Sequence, residues 1–255
     1  MEIREFLDEY VRKTKEILTD NLAGVYLHGS LAMGCFHEKK SDVDLLVVVN
    51  RPLLMDEKRA YLKEILALNQ WAPSKGIEMS VVLKRDMNPF HHPAPFEMHF
   101  SNAHLMNYVE KPDETLLRMT GTDKDLAAHV TIINRYGKTL YGEDIHQVFS
   151  EVLYEDYLDA ILYDIENARE DILENPMYVV FSLCRVLAYA MERRVLSKKD
   201  GGEWALLHVE KMYQPIIESA LCAHQTDENM NLSQDLTKDF AGYMLSRIRE
   251  AIGQK

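Results

Sequence analysis

Apolar positions recur at helical spacing near the start of the chain, at Ile3, Phe6, Leu7, Tyr10, Val11, Ile17 and Leu18, which predicts one amphipathic helix. The pattern then changes. "GVYLHGS" reads as a short strand ending in a Gly-Ser turn. "DVDLLVVV", Asp42 to Val49, is a β-branched apolar run bounded by polar residues, as expected of a buried strand. Residues 55–70 return to helical spacing with Leu62, Ile65 and Leu66, and Ile77 to Leu83 reads as a third strand. "NPFHHPAP" is a proline-broken loop, and from Asp123 onwards the strand signals fade. Stripes at Tyr154, Leu158, Ile161 and Ile165, and at Val179, Val180, Leu183, Val186, Leu187 and Ala190, predict helices. "SKKDGGEW" reads as a loop between helices; Ile216, Ile217, Ala220 and Leu221 begin a further helix, and Phe240 to Ile252 a last one. The expected fold class is an α/β (α+β) N-terminal domain with a mixed sheet, residues 1–145, followed by an all-α helical-bundle C-terminal domain, residues 146–255. The boundary follows "LYGED".

Composition narrows this picture. The chain has 255 residues, 47% apolar and 27% charged, which excludes a disordered chain. Its apolar runs are too short to span a bilayer, and "MEIREFLDEYVRKTKEIL" lacks the apolar segment of a signal peptide. A cytoplasmic monomer without a membrane partner is expected. Cys35, Cys184 and Cys222 have neither zinc-like spacing nor the even count of a disulfide framework. The formal net charge of −12 repels phosphate backbones, so nucleic acid is not an expected partner. The same field would attract a cationic small molecule.

The chemistry concentrates in "HGSLAMGCFHEKKSDVDLLVVV". An ionised Asp at a buried strand end is costly unless something compensates it. Asp42 and Asp44 are two residues apart, so on a strand they share a face and repel each other. A divalent cation such as Mg²⁺, which takes carboxylate oxygens, resolves both problems. Gly29 lets backbone come close to a ligand, and Ser30 offers a hydroxyl to a phosphate oxygen. A phosphate cradle beside paired carboxylates is the equipment of nucleotidyl transfer. Either aspartate alone would read as a cap or turn residue; the conjunction with the Gly-Ser turn and the aliphatic strand does not.

"HGS…SDVDLLVVV" resembles the signature of the polymerase-β-like nucleotidyltransferase superfamily. "GIEMSVVLKRDMNPFHHPAPFEMHF", "TDKDLAAHVTIINRYGKTLYGED", "VVFSLCRVLAY", "LSKKDGGEWA" and "YQPIIESAL" follow in order the layout of bacterial streptomycin/spectinomycin adenylyltransferases, over most of the chain. The resemblance implies that Asp42 and Asp44 hold Mg²⁺, and that Gly29, Ser30 and Ser41 meet the phosphates of ATP. It makes Glu78 the general base toward the acceptor hydroxyl. It places Arg185 and Lys198, with Lys199 adjacent, on the triphosphate and His224 near the adenine, in a cleft between the two domains. The acceptor it implies is a cationic aminoglycoside or aminocyclitol. The chain departs from the pattern where an acidic block binds the drug: "LENPMYVV" stands there, with Asn175 in place of an aspartate and Asp171 and Glu174 nearby. A Gly-Glu-Trp of the family is replaced by Ser101, Asn102 and Ala103.

Two other readings stay open: a superfamily enzyme that modifies another small molecule or a protein side chain, and a nucleotide-binding module without catalysis. His91, His92, Glu97, His99 and His104 are zinc-ligand types, but their spacing matches no zinc motif. Cys35 has no evident activating partner.

Overall fold

A computed structural model describes residues 2–226, 230 and 233–253. By its own contacts the chain divides into two units, Met1–Tyr157 and Leu158–Lys255.

In the first unit, helix α1 (Ile3–Leu18) leads into strand β1 (Leu22–Leu27), a one-turn helix α2 (Gly29–Ala32), β2 (Val43–Val49), α3 (Met55–Asn69) and β3 (Ile77–Leu83). Short elements follow: β4 (Ala94–Phe96), β5 (Met98–Phe100), α4 (Leu105–Glu110), α5 (Pro112–Arg118) and β6 (Gly121–Asp123). Then come α6 (Leu126–Tyr136), β7 (Lys138–Gly142) and α7 (Ile145–Val148), and α8 (Tyr154–Tyr163) carries the chain out of the unit. The main sheet is mixed, in the order β5-β3-β2-β1-β7, with β2 and β3 parallel and the other pairs antiparallel. Strands β4 and β6 form a separate pair.

Side-chain alternation explains how this sheet is covered. Val43, Leu45, Val47 and Val49 join Phe6 and Tyr10 of α1 and Tyr61, Leu62 and Ile65 of α3 in one core. Leu46 and Val48 face the other way and pack with Tyr26, Val82 and Leu126, Val130 and Ile133 of α6. Asp44 belongs to this second face by its place in the strand.

Three sequence expectations change. Strand signals do not end at Asp123, since β7 closes one edge of the main sheet against β1. It is a short edge strand with no fully buried residue, so it lacks the apolar signature of β2. The division falls after Tyr157 instead of near residue 145. Val148 and Phe149 are buried in the core on the second face of that sheet, Phe149 lies edge-on to Tyr26 at 4.8 Å between ring centroids, and the Ser150 hydroxyl accepts from the Phe90 N–H at 2.8 Å. The third change is in the helical unit.

That unit contains α9 (Ala168–Asp171), α10 (Pro176–Glu192), α11 (Lys198–Leu206), α12 (Gln214–Gln225) and α13 (Gln234–Ala251). Helix α10 is its centre: eleven of its residues are buried, as befits a helix that is apolar nearly all round. Burial pushes the Cys184 thiol up to about 12. The segment "KKDGGEW", read as a loop, is the body of α11. The Ser197 hydroxyl caps it by accepting from the Asp200 N–H at 3.1 Å. Its two glycines are helical because the helix lies close to its neighbours. A Cβ on Gly201 would come within 2.8 Å of the Arg185 Cγ, and one on Gly202 within 3.0 Å of Phe181 and Leu221.

Candidate active site

Parallel pairing of β2 and β3 sets Asp44 directly beside Glu78. Asp42 lies one residue before the strand, two before Asp44, and so returns to the same face. One carboxylate oxygen from each of Asp42, Asp44 and Glu78 falls within 4.8 Å of the others. Among the described residues this is the one group of three or more histidine, cysteine or acidic side chains that could hold a metal ion. All three are half-buried.

The Gly-Ser turn closes on this cluster. The His28 N–H donates to the Asp44 carbonyl at 3.0 Å, which fastens the end of β1 to β2. Gly29 follows at φ +60°, and a Cβ there would lie 1.7 Å from Asp44 Oδ2. Only glycine fits so tight an approach with that backbone. The Ser30 hydroxyl is buried without a hydrogen-bond partner, although a buried hydroxyl ordinarily has one. Ser41 is 6% exposed, and its hydroxyl accepts from the His37 N–H at 3.1 Å, which leaves its own proton to donate. Like-charged carboxylates and an orphaned hydroxyl together fit a divalent cation with phosphate oxygens.

Sequence reasoning gave no role to His28 or His129 and weighed His99 only as a zinc ligand. His129, on α6, pairs through Nε2 with Asp125 Oδ2 at 3.1 Å. Its ring lies 4.6 Å from that of His28, tilted by 39°, and its Nδ1 is buried without a partner. Burial would pull His129 down, but Asp125, by charge and hydrogen bond, followed by Glu78 and Asp44, raises it to about 10. His28 is lowered, first by burial and then by His129. His99 bonds the Ser80 hydroxyl through Nδ1 at 3.0 Å, and burial foremost lowers it to about 4. The available signal was a histidine inside an apolar helical stripe, with an aspartate four residues before it.

The remaining predicted residues lie in the helical unit. Arg185, on α10, donates to the Ser182 hydroxyl at 3.2 Å, and its Nε is buried without a partner. Lys198 opens α11, with its ammonium 5.7 Å from the Tyr178 ring centroid. His224 packs edge-on against Phe181 at 5.5 Å. Asp171, Glu174 and Asn175 sit where α9 turns into α10, and the Asn175 N–H donates to the Asp171 carbonyl at 2.8 Å. Glu174 parts from the other two: it lines a groove with Arg169, Tyr213 and Asp239.

Two family models match the chain in sequence. A nucleotidyltransferase domain covers residues 7–91, and the C-terminal domain of aminoglycoside adenylyltransferase covers residues 147–247. Over nearly its whole length the chain is similar to the aminoglycoside adenylyltransferases, and from residue 147 it matches their C-terminal domain. Its relatives include the aminoglycoside (3'') (9) adenylyltransferase of Escherichia coli, 24% identical over 99% of this chain and 97% of that one. The spectinomycin 9-adenylyltransferase of Enterococcus faecalis is 23% identical over 76% of this chain and 78% of its own length. The fold matches a crystal structure of an enterococcal spectinomycin adenyltransferase with ATP and spectinomycin, at a TM-score of 0.82 and 20% identity over 96% of this chain and 99% of that one. The Asp42, Asp44 and Glu78 cluster thus lies in the stretch that the nucleotidyltransferase domain matches, and the helices of the second unit lie largely in the stretch that the adenylyltransferase C-terminal domain matches. No helix among the described residues is long and apolar enough to cross a membrane.

Proposed function

We propose that this chain transfers AMP from ATP to a hydroxyl of a cationic aminoglycoside or aminocyclitol, and so confers antibiotic resistance. The observation that carries the reading is the Asp42, Asp44 and Glu78 cluster beside the buried, unpartnered Ser30 hydroxyl. Asp42 and Asp44 would hold Mg²⁺, which supplies positive charge to the phosphate oxygens when bound. Gly29, Ser30 and Ser41 cradle the triphosphate. Glu78 takes the proton from the acceptor hydroxyl. The acceptor oxygen bonds to the α-phosphorus as the bond from that phosphorus to the bridging oxygen breaks, and pyrophosphate leaves with the electron pair. Arg185 and Lys198 are the cations this reading assigns to the leaving group, and His224 the ring assigned to the adenine. Asp171, Glu174 and Asn175 are assigned to the amines of the acceptor.

The departure at Asn175 favours a second reading of the acceptor alone: the same reaction on another small molecule or a protein side chain. Incubation of the chain with ATP, Mg²⁺ and a panel of spectinomycin, streptomycin and unrelated aminoglycosides separates the two by a mass gain of one AMP. Asp42→Asn with Asp44→Asn should abolish acceptor-dependent pyrophosphate release, and release that persists in the double variant would sink the mechanism. Tight ATP binding with no turnover on any acceptor would instead point to a non-catalytic module.

A further inference from the structure

The Asp125–His129 pair is not accounted for by the proposed chemistry, and its placement is unusual. Helix α6 fills the second face of the sheet with Leu126, Val130 and Ile133, and His129 leaves that stripe toward the end of the face where the carboxylates lie. Asp44 and Glu78 are both within electrostatic reach of its ring. Its side chain is 15% exposed, whereas that of Asp125 is 54% exposed. The ion pair therefore runs from the exposed start of α6 to a covered ring that packs on His28.

The contacts continue without a gap. Asp125 fixes Nε2 of His129, the His129 ring rests on His28, and the His28 N–H holds the Asp44 carbonyl. The next residue, Gly29, lies against the Asp44 carboxylate itself. Displacement of the His129 ring would release His28, and with it the corner that carries Gly29, Ser30 and the approach to Asp44.

We propose that His129, anchored by Asp125 and packed on His28, is a positioning residue that keeps the Gly29–Ser30 corner and the Asp44 carboxylate in register for a divalent cation and ATP. This rests on the adenylyltransferase reading of the same site. A histidine that only filled the core would affect folding, and one that acted only by its charge would oppose a cation. The three roles predict different signs.

The test is calorimetric titration of the folded chain with ATP in Mg²⁺, and of Mn²⁺ in the presence of ATP by electron paramagnetic resonance, with melting temperature as a control. His129→Leu should weaken both affinities by about tenfold, as loss of a supporting contact behind a metal site does. His129→Gln, which can still reach Asp125, should stay within about threefold of the unaltered chain. Unchanged affinity in His129→Leu would overturn the proposal in favour of a packing role. Tighter Mn²⁺ binding would overturn it in favour of a charge effect. Should His129→Leu fail to fold, Asp125→Ala, which removes the acceptor at the exposed end of the pair, carries the test: weakened affinity supports the proposal and unchanged affinity overturns it. Failure of the unaltered chain to bind ATP with Mg²⁺ would overturn the functional reading itself, and this proposal with it.

Discussion

Gly29 shows how little room the site has. A methyl group there meets Asp44 Oδ2 at 1.7 Å, and φ is +60°. Gly29→Ala therefore has to move either the corner or the carboxylate. Its expected outcome is a loss of about 100-fold in kcat/KM, the size of effect that a misplacement of about 1 Å produces. Steady-state kinetics on whichever drug the panel identifies would measure it, with circular dichroism to show that the fold survives. Glu78 allows a sharper separation. Glu78→Gln keeps the side-chain shape and removes the base, so kcat should fall by about 100-fold or more while ATP affinity in Mg²⁺ changes far less. Equal losses in both would assign Glu78 to the metal instead. The carboxylates were legible because a charge inside an apolar strand demands compensation. His129 was not, because a histidine in an apolar helical stripe has the same pattern whether it fills a core or supports a site. Only the fold shows that Asp125 pairs with it and that His28 packs on it.

Elements were legible in proportion to their burial. The expected helix at Ile3–Leu18 and the expected strands at Ile77–Leu83 and within "DVDLLVVV" correspond to α1, β3 and β2, whose apolar faces meet in one core. The edge strand β7 has no such face to read. Helix α11 was hidden for a different reason. Glycine has low helix propensity, so "KKDGGEW" looks like a loop until the close approach of Phe181, Arg185 and Leu221 is known. Those neighbours decide what a substitution does. Gly202→Val places bulk 3.0 Å from both Phe181 and Leu221, and overpacking of this kind costs about 1–3 kcal/mol. The melting transition of the helical unit should fall accordingly. A rise would show that the two glycines are held there for some reason other than packing.

For the molecule as a whole, the two-part order was readable because strand patterns and helical stripes occupy different halves of the chain, although the division by contacts lies after Tyr157. What no pattern could supply is the balance of protons in the first unit, which depends on three histidines brought together by the fold. His99 is lowered to about 4 in the folded chain, chiefly by burial, and His28 is lowered as well; an unfolded histidine titrates near about 6.5. Between those values the unfolded chain binds protons that the folded chain refuses, so stability drops as the pH falls from about 6.5 toward about 4. His129 has the opposite sign. It is raised to about 10 against the burial that would lower it, by Asp125 and then by Glu78 and Asp44. Its contribution is complete below about pH 6.5 and is lost as the pH rises toward about 10. In metal-free buffer the first unit should therefore be most stable near about pH 6.5 to 7. Hydrogen exchange of the β2 and β3 amides, corrected for intrinsic rates, reads this unit by itself. His99→Gln should make the acid side shallower, the remainder belonging to His28, and leave the alkaline side in place, whereas His129→Leu should flatten the alkaline side. If both variants kept the unaltered profile, neither limb would belong to these imidazoles, and the carboxylates alone would set the pH dependence.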